Sequence, residues 1–144
     1  MPSSESKQYL DLHVTGIGDL NRVRSIQPRN GEAFLACVLN ALHGDTAAVE
    51  YTPFDCRVYG EEAQDLVAFL KPQVDARRKV RVAFRLGDIY LHQFVYDQGE
   101  RKGQPGALIK GRLLKLYSAK IDGEPIDLPR REPSVTPLRT GTDD

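Results

Sequence analysis

Tryptophan is absent from this 144-residue chain, methionine occurs once, cysteine twice and histidine three times. Each scarcity removes a class of protein. Two cysteines cannot build a disulfide framework. Cys37 and Cys56 both fall in apolar runs and read as core thiols. His13, His43 and His92 lie far apart, with no CxxC or HxxxH spacing, so neither a metal site nor a metal cofactor is expected. No apolar run approaches the ~18–20 residues of a membrane span. The first seven residues, MPSSESK, lack the apolar core of a secretory signal. Also missing are a GxSxG elbow and a Walker loop. Gly16-Ile17-Gly18 has no third glycine at position 21, which is Asn, so dinucleotide binding is unsupported. The expectation is a reduced, cytoplasmic, non-enzymatic domain without cofactor. At this length it can bury a core without staples.

Net charge is also missing, since 20 basic residues balance 20 acidic ones. The balance is global only. Residues 32–65 carry seven acids and one Arg, whereas residues 77–120 carry eleven basic groups and three acids. Such a segment can set up a local positive field. Nucleic acid is bound by local phosphate neutralisation, not by whole-chain charge.

What is present is mostly alternation. Leu10, Leu12 and Val14 share one phase of an extended run, and residues 20–27 look extended again after Gly16-Ile17-Gly18. One long first strand bent at those glycines is the simplest reading. Pro28-Arg29-Asn30-Gly31 is turn chemistry. The apolar run 33–42 suits strand or helix by composition, but turns on both sides and the alternating run 49–59 after it favour a hairpin. Glu61 and Glu62 open a helix whose apolar stripe is Ala63, Leu66, Val67 and Leu70, and Pro72 is expected to end it. Val80, Val82, Phe84 and Leu86 form one face of a strand, and Gly87-Asp88 reads as a turn. Residues 89–96 alternate again, residues 97–106 form a loop, and residues 107–117 are the last strand. The fold class is thus all-β with one helix, a five-stranded OB-fold barrel in the order β-β-β-α-β-β with an extra hairpin turn late in the chain. It spans residues 9–125, between a flexible N-terminus (1–8) and a disordered C-terminal tail (126–144).

The chemistry lies in rings and cations. Binding a single strand takes flat rings for bases and cations for phosphates. Tyr90, His92, Phe94 and Tyr96 fall at period two, which sets same-face side chains about 7 Å apart. Arg81 and Arg85 come from the strand before, Lys110 and Arg112 from the strand after. Arg101 and Lys102 sit in the loop that could fold over a bound strand, and Arg57 and Tyr59 are further members on the third strand. If the ring phase faced inward, Ile89, Leu91 and Val95 would face water. Tyr and His tolerate the surface better, so the rings are expected outside. Packing of a dimer through the same face is the competing use of these rings.

Several stretches carry a family resemblance: YLDLHVTGIGDLNRVRSI (9–26), GEAFLACVLNALHG (31–44), VEYTPFDCRVYGEEAQDL (49–66), FRLGD (84–88), GERKGQPG (99–106), LIKGRLL from 108 and KIDGE to 124. Over about residues 9–125 the chain resembles the small replication-associated proteins of bacterial integrative and conjugative elements, a family of uncharacterised function. More distantly, VTGIG (14–18), DCRVYG (55–60) and KVRVAFRLGD (79–88) are similar in layout to bacterial single-stranded-DNA-binding proteins. The chain departs from these in having no Trp and in ending Thr142-Asp143-Asp144 without an apolar tip. The resemblance implies sequence-nonspecific binding of single-stranded DNA in replication or transfer of a mobile element. Replication or conjugation proteins and a second copy of the chain are the further partners it suggests. The alternative is a protein–protein adaptor of a replication complex that uses the same barrel with little or no DNA binding.

Overall fold

A computed structural model describes residues 10–129. The protein is all-β with one helix: β1 (His13–Ile26), β2 (Phe34–Asp45), β3 (Ala48–Val58), α1 (Glu61–Asp75), β4 (Val80–Val95), β5 (Pro105–Ile121) and β6 (Glu124–Ile126). The sheet order is β3-β2-β1-β4-β5-β6, and β3 also pairs with β5. The pairings of the first five strands therefore run in a ring, antiparallel except where β5 meets β3 in parallel.

Alternation in these strands has the usual cause: one phase faces a shared core and the other faces water. Leu20, Leu39, Cys56, Val58, Val82, Phe84, Leu86, Leu113 and Leu116 from five strands join Ala63, Leu66, Val67 and Leu70 of α1 in one buried cluster. The run 33–42 resolves as strand, because its partners β1 and β3 offer a ladder on both sides. Midway along β1, Gly18 and Asp19 pair with β2 and β4 at once, with Gly18 opposite both Ala41 and Val82. A Cβ on Gly18 would lie 2.7 Å from the Asn40 carbonyl oxygen and 3.0 Å from Ala41 Cα, both backbone, so only glycine fits this crossing.

Five expectations are corrected. A sixth strand, β6, pairs with β5, so Ile126 belongs to the sheet and Leu128 packs against the core. β1 begins at His13, leaving Leu10 and Leu12 exposed. Its irregularity falls between Asn21 and Arg24, where Arg22 adopts φ 50°, not at the glycines, which hold register for close approach. α1 continues past Pro72 to Asp75, because a proline in the last turn removes one donor while Ala76 N still reaches Pro72 O at 3.0 Å. Gly87-Asp88 is no turn: β4 runs on through a bulge with Asp88 at φ 53°. The expectations for residues 1–8 and for the chain beyond Pro129 lie outside the described residues. Among the described residues, no helix is long and apolar enough to cross a membrane.

Candidate nucleic-acid interface

The parallel β3–β5 pairing sets Arg57 opposite Arg112 and Asp55 opposite Lys110. On β5's other side Tyr90 stands opposite Lys110. On β3's other side Ala36 stands opposite Arg57, and Arg24 of β1 stands opposite Ala36. One row thus crosses four strands as Arg24, Ala36, Arg57 and Arg112, about 14 Å at the ~4.8 Å strand spacing. Ala36 lies at the bottom of this row, buried outside the core cluster beneath longer neighbours.

Rings fill the positions beside the cations. The Arg57 guanidinium carbon lies 4.1 Å from the Phe34 ring centroid, and that of Arg112 lies 4.7 Å from the Tyr59 centroid. Arg112 also reaches Asp88 at 3.3 Å. Arg24 Nη2 donates to Asp55 Oδ1 at 3.0 Å. A cleft of about 200 Å³ opens between these groups, with Phe34, Arg57, Tyr90 and Lys110 around it. Arg24, Phe34 and Asp55 were not among the sequence candidates. The alternation of 54–59 puts Asp55 in the phase of Arg57, but only the register shows that Arg24 and Phe34 meet Arg57.

Past Gly87, β4 pairs with β5 alone, and from His92 opposite Leu108 outward, where β5 no longer pairs with β3, the two make a two-stranded arm. His92 and Phe94 stack with centroids 5.9 Å apart, and Tyr96 meets Phe94 edge-on at 5.0 Å. The last two rings lie on the arm's own backbone. A Cβ on Gly106, the partner of Phe94, would come within 2.6 Å of Phe94 Cε1 and 2.7 Å of Tyr96 Cε2. His92, Phe94 and Tyr96 are half-buried in this way, while Tyr90 stays 56% exposed. At the tip, Tyr96 N donates to Gln104 O at 3.0 Å and Gly103 N to Tyr96 O at 2.7 Å. Arg101 hydrogen-bonds the Tyr96 hydroxyl at 3.3 Å and sits 5.5 Å from its ring; Lys102 is exposed beside it.

The remaining candidates do not join this group. Arg81 holds Asp19 with two bonds of 2.9 and 3.2 Å, and that carboxylate pushes its already high pKa higher. It stands six residues from Gly87 along β4, about 20 Å away. Arg85 pairs with Lys115, and both cations lie over Tyr117, at 5.8 and 5.5 Å. Cys37 and Cys56 face each other across β2 and β3, both buried and free. The hydrogen bond with Cys37, together with burial, pushes the Cys56 thiol up, the opposite of what a nucleophile needs. Among the described residues, no three His, Cys, Asp or Glu side chains gather as metal ligands would.

Fold and site together define an all-β protein with one helix that gathers arginines and rings on one outer face. The chain belongs to the DUF3577 family, described as proteins of unknown function, whose family model matches residues 3–133. No curated protein and no solved structure matches it.

Proposed function

We propose that this chain is an OB-fold protein that binds single-stranded DNA without base specificity and works without catalysis. The strand ring β1-β2-β3-β5-β4, with α1 between β3 and β4, supports the fold reading. OB folds bind oligonucleotides on the face of the second and third strands and on the loops beside it. The observation that carries the function is the register that puts Arg24, Arg57, Lys110 and Arg112 beside Phe34, Tyr59 and Tyr90 on that face. Cations neutralise phosphates and rings accept any base, so affinity comes without sequence readout. The setting, replication or transfer of a mobile element, rests on the sequence resemblance alone.

The test is anisotropy of a labelled oligo-dT at several salt concentrations. Saturable binding at micromolar protein is expected. With about four phosphates neutralised, log affinity should fall against log salt with a slope of roughly −2 to −3. A flat salt response, or no saturable signal at low salt, overturns the reading. In the second case the adaptor reading takes its place, favoured by Leu91 and Val95, which lie 59% and 64% exposed along the arm.

A further inference from the structure

The cleft at the root of the arm has features that the rest of the ring-bearing surface lacks. It is where β1, β2, β3, β5 and the arm converge, so five separate segments hold its walls. At about 200 Å³ it is smaller than the ~300–1,000 Å³ that a drug-sized ligand requires, and it suits one flat ring. One wall is the Arg57 guanidinium backed by Phe34. A guanidinium is planar and weakly hydrated, and bases stack on it as they do on rings. The exposed Tyr90 ring stands on the Lys110 side. Arg24 pairs with Asp55, so the carboxylate does not confront an incoming phosphate unneutralised. Arg24, Arg57 and Lys110 against Asp55 leave two net positive charges, the number that matches the phosphates on either side of one nucleotide.

We infer that this cleft anchors one nucleotide of the bound strand, its base stacked on the Arg57 guanidinium that Phe34 holds flat, its flanking phosphates beside Lys110 and Arg24. The inference rests on the single-strand-binding reading and adds an anchor to it. Phe34 is then a positioning residue. Arg57 acts through its plane as well as its charge, so lysine cannot replace it.

The experiment compares wild type, Arg57→Lys and Phe34→Leu by oligo-dT anisotropy across salt. Arg57→Lys keeps the charge and loses the plane. Its affinity should fall roughly 5- to 150-fold, the range of one stacked base, with the salt slope unchanged. Phe34→Leu keeps apolar volume and should fall in the same direction by less. Arg57→Lys binding within twofold of wild type overturns the inference while leaving single-strand binding intact. Absence of wild-type binding overturns both. A second measurement needs no variant: wild type is photo-crosslinked to oligo-dT carrying one 5-iododeoxyuridine. Adducts at Phe34 or Tyr90 support the anchor; adducts confined to Tyr117 or Tyr51 overturn it.

Discussion

Over residues 80–86 of β4, Val80, Val82, Phe84 and Leu86 are buried while Arg81, Ala83 and Arg85 face outward. Over residues 89–95 of the same strand the alternation of residue types continues, yet Leu91 and Val95 are more exposed than the rings opposite in phase. The difference lies in the neighbours. The first stretch has β1 on one side, β5 on the other and the core beneath; the second has only β5. Alternation reports two faces, but only a second layer makes one of them an inside. The expectation that the rings of 90–96 face out and the apolar phase faces in is corrected: Leu91 and Val95 face water, and of the four rings only Tyr90 is exposed. Ile89 still packs against the core, but from Leu91 onward no second layer makes either face an inside.

Two leucines on this strand give the sharpest test of that contrast. Leu86 is fully buried and Leu91 is 59% exposed. Leu86→Ala should cost about 2–5 kcal/mol in urea unfolding, the range of a core truncation. Leu91→Ala should stay within about 0.5 kcal/mol. Equal costs would mean that the arm is packed as tightly as the core, against something outside the single chain.

Two glycines carry the same comparison to the backbone. A methyl at Gly18 meets the main chain of Asn40 and Ala41, which cannot move without breaking the β1–β2 register. Gly18→Ala should destabilise by about 1–3 kcal/mol. A methyl at Gly106 first meets the Phe94 and Tyr96 rings, and those can swing off the arm. Gly106→Ala should cost less than about 1 kcal/mol. It should instead abolish the ring-current shifts of those two side chains in proton NMR. A large global loss from Gly106→Ala would show that the arm and the ring of strands unfold as one unit.

The same contrast explains what the residues made legible. The alternating faces of β3 and of β4 up to Leu86 and the stripe of α1 follow from local pattern, because each of those segments lies against the core. Continuity through Gly87-Asp88 was hidden, since a Gly-Asp pair serves a turn and a bulge equally well. Pro72 misled for a related reason: the ring removes its own N–H bond to the preceding turn but leaves its carbonyl to accept from Ala76 N, so three more residues stay helical. At the site, Tyr90, Lys110, Arg112, Arg57 and Tyr59 were legible as residue types. Their meeting was not, because the parallel β3–β5 register joins segments more than fifty residues apart. Arg24 and Phe34 enter through the β1–β2 and β2–β3 registers, which bring them to Arg57. Arg81 looked like Arg112 in the sequence; what separates them is that Asp19, brought in by the pairing of β1 with β4, holds Arg81 by two part-buried bonds, whereas Arg112 has one exposed contact with Asp88.

That pair of arginines gives the next test. Arg81→Gln leaves the part-buried Asp19 without its two charged donors and should cost about 1–2 kcal/mol of stability. It should leave oligo-dT affinity and salt slope as in wild type. Arg112→Gln should do the reverse: stability within about 0.5 kcal/mol, with the salt slope shallower by roughly 0.7, the contribution of one phosphate on a single strand. A slope change for Arg81→Gln would extend the interface along the whole of β4.

The smallest effect concerns acid, and it belongs to the core end of the molecule. Asp122, in the turn between β5 and β6, accepts from Lys79 N at 2.9 Å and from Arg78 Nε at 2.9 Å, tying that turn to the start of β4. The Lys79 amide and then the Arg78 guanidinium hold its carboxyl below the ordinary value of 3.8. A carboxyl whose pKa is lower folded than unfolded favours the native state in its charged form. Its contribution is complete above the unfolded pKa and is lost as pH falls through the folded one. Stability of the wild type should therefore decline below about pH 4. Asp122→Asn should be slightly less stable at neutral pH and decline less steeply in acid. Hydrogen exchange in that range should rise first at Ala119 and Ile121, which pair with β6, before it rises in the arm. Earlier opening of residues 89–95 would mean that acid acts through the arm's own groups and not through this latch.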